Sequence, residues 1–476
     1  MNNCQLTLRD AFLIGREDAH GQASLVRSGQ IPLAALTEAA ILRIEHLNSK
    51  INAVTYQSYE SARTRARTTR VSEDTPLAGT PYLLKESLEY PGMPSIAGSR
   101  SRSYMESTRS FPFSDRLDAQ GLIPVGMSSM PEFGLLPSTE PLRHGPTRNP
   151  WNPESSAGGS SGGAGAAVAA GMVAIAHGSD AGGSIRVPAS SCGIVGLKAS
   201  RGANVRARAQ NLVDDLLCSD VLLSRSVRDV AWSFNVTRPG SDPRNTIAPI
   251  ERPLRIGVDL LGLDGTEPDP EVAAMIEKTA DLCARVGHRI ERVTMPVERP
   301  GLVAGFLVLL AYLAIGVVDD CRDRPPERNL EDLLEPWTLA LANWGTQFGA
   351  SDLEHAFAQL IDTRRALADF YRNLDVVLSP VTGTRPPQIG YLAPARPFEE
   401  LRPSILKHVN YTKLQNVAGT PAISLPLFAA ADTMPIGSMF AAAYGHDELL
   451  LALALQLERE QPWVSRWPAC FLEAVR

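Results

Sequence analysis

The chain has 476 residues, of which 44% are hydrophobic and 21% charged, with a formal net charge of −6. A chain of this length can bury a large core without disulfides or a structural metal, and its acidic balance excludes the clustered basic face that gripping a nucleic acid requires. The six cysteines, Cys4, Cys192, Cys218, Cys283, Cys321 and Cys470, form no C-x-x-C pair and match no zinc spacing, so free thiols in a reducing cytoplasm are expected, with no metal.

Residues 1–5 carry no apolar signal core, so no export is expected. Residues 33–47 repeat their apolar side chains at helical spacing, and Asn48 ends that helix before an extended run over 51–54. Arg63, Arg65, Arg67 and Arg70 read as a solvated helix face. Residues 78–85 read as a turn entering a short buried strand that ends at Lys85, and 122–126 as another strand. From 151 to 165 the composition shifts to glycine and serine, which inside an enzyme marks a functional or a disordered loop. An Ala-rich helix at 166–170, able to pack close to a sheet, follows, then a strand at 173–176 and a second glycine-rich loop at 178–184. Further along come an amphipathic helix at 271–286, a strand at 288–293, and short buried strands at 375–378 and 422–425. Strands alternating with helices indicate an α/β fold. No repeat or linker divides the chain, so residues 1–476 are read as a single domain.

One segment stands apart. Residues 301–318, GLVAGFLVLLAYLAIGVV, carry no charge and reach the length of a membrane-span candidate. They lack the aromatic belts and the Lys/Arg bias of a clear span. A helix that is apolar all round is buried somewhere, so a buried helix is the expectation and membrane contact is not.

The chemistry concentrates in two loops, Gly158-Gly159-Ser160-Ser161-Gly162-Gly163 and Gly178-Ser179-Asp180-Ala181-Gly182-Gly183-Ser184-Ile185-Arg186. Glycines let backbone N–H groups crowd a small volume, and consecutive N–H groups form the anion nest that an oxyanion hole needs. A serine at the end of such a nest is placed to attack a carbonyl. The alternatives are a flexible linker and a phosphate loop, but G-x-x-x-x-G-K-[ST] is absent. Residues 163–168 start like a dinucleotide fingerprint and lack its third glycine. Residues 158–162 satisfy G-x-S-x-G, yet they follow a loop where a nucleophile elbow should follow a strand. A serine nucleophile also needs a base, and His177, at the end of a buried strand, reads as a core histidine.

These segments resemble the amidase signature family. The stretch from Gly158 to Lys198 carries the resemblance, with the run at 76–85 matching the family's catalytic lysine segment. The runs at 375–380, 416–421, 435–437 and 445–450 match its C-terminal landmarks, and the likeness is weakest between 240 and 370. The resemblance implies a central mixed, twisted β-sheet covered by helices on both faces, with a signature core at 76–200 and a variable substrate-pocket region at 240–370. It implies a Ser–Ser–Lys triad in which Ser184 is the nucleophile, Ser160 the bridging serine after a cis peptide bond, and Lys85 the general base. The backbone N–H groups of Ala181, Gly182, Gly183 and Ser184 would form the oxyanion hole, braced by Ser161, Asp180 and Arg186. No cofactor is implied. The implied partner is a small amide substrate, and a homodimer is admitted. Glu86, Ala199-Ser200 and Met439 depart from the family's usual Asp, Pro-Thr and Gln.

The runs at 145–152 and 461–464 resemble the small-amide hydrolases that include 6-aminohexanoate cyclic-dimer hydrolase. An amidotransferase A subunit would need partner subunits and polar glutamine, against which 301–318 speaks. A transacylase using the same acyl-enzyme, and a peripheral membrane hydrolase, are the other readings of the same residues. The expectation is an amidase acting on a small carboxamide with an apolar acyl group.

Overall fold

Five consecutive buried residues, Pro81-Tyr82-Leu83-Leu84-Lys85, form the strand around which the amino-terminal half is organised. A strand covered on both faces needs an unbroken apolar run rather than alternation, and only its last residue ends in a charged group. The computed structural model describes residues 6–205, 207–208, 212–322 and 329–475; Cys4 therefore lies outside the described residues.

Eleven strands are present among the described residues: β1 (Val54–Gln57), β2 (Pro81–Lys85), β3 (Ile123–Ser128), β4 (Ile175–Asp180), β5 (Gly196–Lys198), β6 (Ser219–Ser224), β7 (Arg255–Val258), β8 (Arg289–Arg292), β9 (Val376–Pro380), β10 (Ala422–Ala429) and β11 (Pro435–Ala442). They pair in the orders β1-β3-β2-β4-β6 and β5-β10-β11-β9-β7-β8. The β2 strand runs parallel to both β3 and β4, whereas β4 and β6 are antiparallel. The two ladders meet where Val195, just ahead of β5, donates its N–H to Ser224 O of β6 at 2.8 Å. The expected mixed sheet is thus five strands and six strands joined at one bridge. One apolar cluster runs through both, from Leu83 and Val125 to Ile256, Ile423 and Phe440.

Several boundaries differ from expectation, each for a local reason. The first long helix runs Leu33–Ile51 and stops at Asn52, which adopts a left-handed conformation and donates its N–H to Asn48 O. The extended run therefore begins only at Val54. The Ala-rich helix begins earlier, spanning Gly162–Ala169. Glycine disfavours a helix by about 1 kcal/mol per residue, yet here no other residue fits. A Cβ on Gly163 would meet Ser129 N at 2.4 Å and Ser129 O at 2.6 Å. The following strand extends to Asp180, through the Gly178-Ser179-Asp180 run that reads as loop, because β6 pairs with it along its whole length.

The apolar segment is the helix Arg299–Arg322, and 50% of its most apolar window is buried. It is the one helix among the described residues long and apolar enough to cross a membrane. It packs against the helices Pro336–Gly345 and Ala350–Phe370.

Two glycines give a direct check. Gly163→Ala forces a methyl into backbone that cannot swing away, so unfolding stability should fall by about 1–3 kcal/mol. Gly316, within the apolar helix, has nothing within 4 Å of a built Cβ. Gly316→Ala should be neutral or stabilise by about 0.5–1 kcal/mol. Denaturant titration of the two variants reads both outcomes, and equal effects would contradict the close packing.

Candidate active site

The carboxyl ends of the parallel strands β2 and β4 lie side by side, the place where α/β sheets bind ligands. Lys85 closes β2 and Asp180 closes β4. The glycine-rich segments at 158–163 and 181–184 meet there, so the residues singled out in the sequence come together although 75 positions separate Lys85 from Ser160.

The Lys85 side chain is 1% exposed and its amine meets three hydroxyls. Nζ lies 2.7 Å from Ser160 Oγ, 3.0 Å from Ser161 Oγ and 3.0 Å from Ser179 Oγ. No carboxylate reaches the amine among the described residues. Burial lowers its pKa to about 7, and the positive charge of Arg208 adds to the effect, against a partial counter from Asp220, Cys218 and Asp180. Glu86, next in sequence, turns the other way and accepts hydrogen bonds from Thr55 Oγ1 at 2.8 Å and Met130 N at 3.3 Å. His177 sits behind the lysine as a fully buried core residue, as expected. Its Nδ1 accepts from Lys85 N at 3.4 Å, so its Nε2 carries the proton toward Asp220 Oδ1 at 3.0 Å.

Ser160 follows a cis peptide bond from Gly159, the geometry the family resemblance implied. Thr139 stitches this loop closed. Its Oγ1 donates to Gly158 O at 2.9 Å and accepts from Gly162 N at 3.1 Å. Ser161 braces the two loops: it accepts from Ser179 N and donates to Ser179 O, both at 3.2 Å, and its own N–H donates to Ser184 O at 3.2 Å. Ser184 itself lines a cavity of about 480 Å³. Its hydroxyl has no hydrogen-bond partner among the described residues, so the two loops are joined here through the Ser161 N–H to Ser184 O bond rather than through the hydroxyls of Ser160 and Ser184.

Asp180 holds the second loop in shape. Its Oδ1 accepts from Gly183 N at 2.7 Å, Arg186 Nη2 at 3.0 Å and Asn416 Nδ2 at 2.9 Å, and its Oδ2 from Arg186 Nε at 2.9 Å and Ile185 N at 3.2 Å. Burial opposes its ionisation, but the Arg186 charge and the hydrogen bonds from Arg186 and Asn416 outweigh it and hold the carboxyl well below its usual range. Gly183 has φ +131°, and a Cβ there would meet Thr412 Oγ1 at 2.3 Å, so only glycine serves. With its N–H given to Asp180, Gly183 does not point a donor at the cavity. The N–H groups of Ala181, Gly182 and Ser184 have no acceptor among the described residues. Met439, where a glutamine is usual, lets its Sδ accept from Arg186 Nη1 at 3.5 Å.

Asn416 and Thr412 were not assigned roles in the sequence. Asn416 joins Asp180, Arg186 and Leu217, and Thr412 Oγ1 donates to Gly182 O at 2.6 Å. The 416–421 run was visible as a landmark, but nothing local tied it to a loop 230 residues away. The cavity walls are apolar. Phe306, Leu307 and Leu310 come from the Arg299–Arg322 helix, joined by Trp337, Trp344 and Phe348. A pocket of this size and composition suits a small organic ligand. Among the described residues no three His, Cys, Asp or Glu side chains gather as a metal site.

Comparison with known proteins bears on the family and the fold. The family model described as Amidase matches residues 35–451. The 6-aminohexanoate-cyclic-dimer hydrolase of Pseudomonas sp. strain NK87 is 37% identical over 492 residues, covering 95% of this chain and 96% of that protein. A solved structure of 6-aminohexanoate cyclic dimer hydrolase complexed with substrate superposes with a TM-score of 0.86 at 31% identity, covering 96% of this chain and 99% of that one. A bacterial aryl acylamidase of the amidase signature family shares the fold, with a TM-score of 0.81 at 23% identity over 96% of this chain and 98% of that one.

The Asp180 clamp has a measurable consequence. Asp180→Asn leaves the Arg186 charge buried without its partner, a change that costs about 3–5 kcal/mol in other buried pairs. Denaturation should show a loss of that order, together with a fall in amide turnover as the 181–184 loop loosens. Wild-type stability in this variant would show that the loop holds its shape without the carboxylate.

Proposed function

Because the chain belongs to the amidase family, whose members hydrolyse amide C–N bonds, we propose that it cleaves a small carboxamide through Ser184, Ser160 and Lys85. The observation that carries this reading is the buried Lys85 amine within 2.7 Å of Ser160 Oγ, with a pKa lowered to about 7. An amine with that pKa is substantially neutral near physiological pH and can take a proton. In the reaction, Lys85 accepts the Ser160 proton while Ser160 accepts that of Ser184. Ser184 Oγ then forms a bond to the amide carbon. The developing oxyanion is met by the N–H groups of Ala181, Gly182 and Ser184, donors aimed before the charge appears. As the C–N bond breaks, the relay returns its proton to the leaving nitrogen, which must be protonated to depart. Water then attacks the Ser184 ester, loses a proton to the same relay, and releases the acid. Ser161, Asp180 and Arg186 brace the loops.

The acyl group is proposed to occupy the cavity beside Ser184, against Phe306 and Leu307 of the apolar helix. This favours an apolar acyl chain. The five described cysteines are free thiols, in keeping with a proposed cytoplasmic location.

A fluorophosphonate should label Ser184, and Ser184→Ala should lose both labelling and turnover while remaining folded. Labelling retained on Ser160 with full activity would overturn the assignment. Since only the neutral amine is a base, kcat/KM should fall on the acid side with an apparent pKa near 7. Lys85→Arg cannot deprotonate and should be about as inactive as Lys85→Ala; an active arginine variant with an unchanged acid limb would make Lys85 structural only.

The acyl assignment has its own check. Lengthening a straight acyl chain from acetyl should raise kcat/KM by about fourfold per buried methylene, the equivalent of about 0.8 kcal/mol. Acetamide as the best substrate of a broad panel would contradict it.

A further inference from the structure

A second buried lysine lies in the cavity, away from the triad. Lys413 opens the short helix Lys413–Ala418, next to Thr412, whose hydroxyl binds Gly182 O of the oxyanion loop. The residue is only 5% exposed, yet it lines the same cavity as Ser184. Its Nζ lies 5.9 Å from the centroid of Phe306, and Phe306 covers Gly182 so closely that a Cβ there would meet Phe306 Cζ at 2.7 Å. The amine is therefore fixed on the oxyanion side of the pocket.

Its hydrogen bonding is incomplete. A lysine ammonium has three donors. Lys85 satisfies its amine with three serine hydroxyls, whereas Lys413 donates to Val409 O and has no other acceptor among the described residues. No carboxylate among them pairs with it, and no Asp or Glu lines the cavity. The other cation in the lining, Arg402, gives its Nη2 to Glu399 at 3.3 Å and keeps an unpartnered Nε, but its side chain is 36% exposed, whereas that of Lys413 is enclosed. Burial lowers the Lys413 pKa to about 7, and the nearby Arg186 charge adds to the effect while Asp264 opposes it. Buried donors without acceptors are costly, and their persistence calls for a partner.

We infer that the cavity takes amides whose otherwise apolar acyl chain carries a second oxygen acceptor, a carbonyl or carboxylate, and that Lys413 is the specificity-determining residue that binds it. The inference rests on the proposed acyl-enzyme reading at Ser184 and adds one polar contact to an apolar pocket. Binding of this kind acts on ground state and transition state alike, so it appears chiefly in KM.

The test uses 4-nitroanilides of straight acyl chains of increasing length, ending in methyl, carboxamide or carboxylate. At the best length, assayed at about pH 6 where an amine with a pKa of about 7 is mostly charged, one oxygen-ended series should exceed the methyl-ended one by about tenfold in kcat/KM, the size of one hydrogen bond to a charged donor. The comparison between carboxamide and carboxylate ends identifies which oxygen the amine prefers. Lys413→Met should erase the preference, and Lys413→Gln, which keeps N–H donors, should restore part of it. Methyl-ended chains that win at every length in the wild-type enzyme would overturn the inference without any variant. So would a preference that survives Lys413→Met. Hydrolysis that persists in Ser184→Ala would overturn the underlying assignment, and this inference with it; a missing preference in an enzyme that still depends on Ser184 overturns the inference alone.

Discussion

The burial of the Lys85 amine among the hydroxyls of Ser160, Ser161 and Ser179 is the constraint on which the site depends. An amine taken out of water disfavours its charged form, and hydroxyls in place of carboxylates leave that preference intact. To be buried so, the lysine must sit at the end of an interior strand, which β2 supplies between two parallel neighbours. The hydroxyls must then arrive at close range from the 158–163 segment and from Ser179 on the neighbouring strand β4. That requirement accounts for the glycines at 158–163 and for the helix that starts on Gly162, where backbone approaches backbone too closely for a side chain.

The second requirement is a loop that keeps its N–H groups fixed. The Asp180 carboxylate meets that need by drawing Gly183 N–H, Ile185 N–H and the Arg186 guanidinium around itself. Asn416 extends the clamp to the helix Lys413–Ala418, so a carboxy-terminal element sets the shape of a loop near the middle of the chain. The same helix carries Thr412 at its edge and Lys413 at its start. Loop geometry and pocket chemistry thus come from one element. The apolar Arg299–Arg322 helix completes the pocket and resolves its own composition: one part packs on neighbouring helices and another faces the cavity.

Much of this was legible in the sequence where composition and physics agree. The β2 strand was readable to its last residue because an apolar run follows a Gly-containing turn. The strand at 422 was placed from its apolar start, though pairing with β11 carries it on to Ala429. Where composition and tertiary structure pull apart, reading failed. Gly178-Ser179-Asp180 looks like loop and is strand because β6 pairs with it. Gly162-Gly163 looks like loop and is helix, because Thr139 beside Gly162 and Ser129 beside Gly163 exclude the better helix formers that would have signalled it. At the site, Lys85, Ser160 and Ser184 stood out through their loops and the family resemblance. The bond from Gly183 N–H to Asp180 was not legible there. Thr139, Thr412, Lys413 and Asn416 were invisible as site residues, since single polar residues carry no local signal and their partners lie far along the chain.

The most direct measurement of the central claim is a titration of the Lys85 amine itself, by NMR of protein carrying labelled lysine, with Lys85→Arg used to assign the signal. A pKa near 7 is expected, against about 10.4 for a free lysine. A Lys85 signal that stays charged until pH 10 would contradict the account, because the proposed serine relay would then have no base.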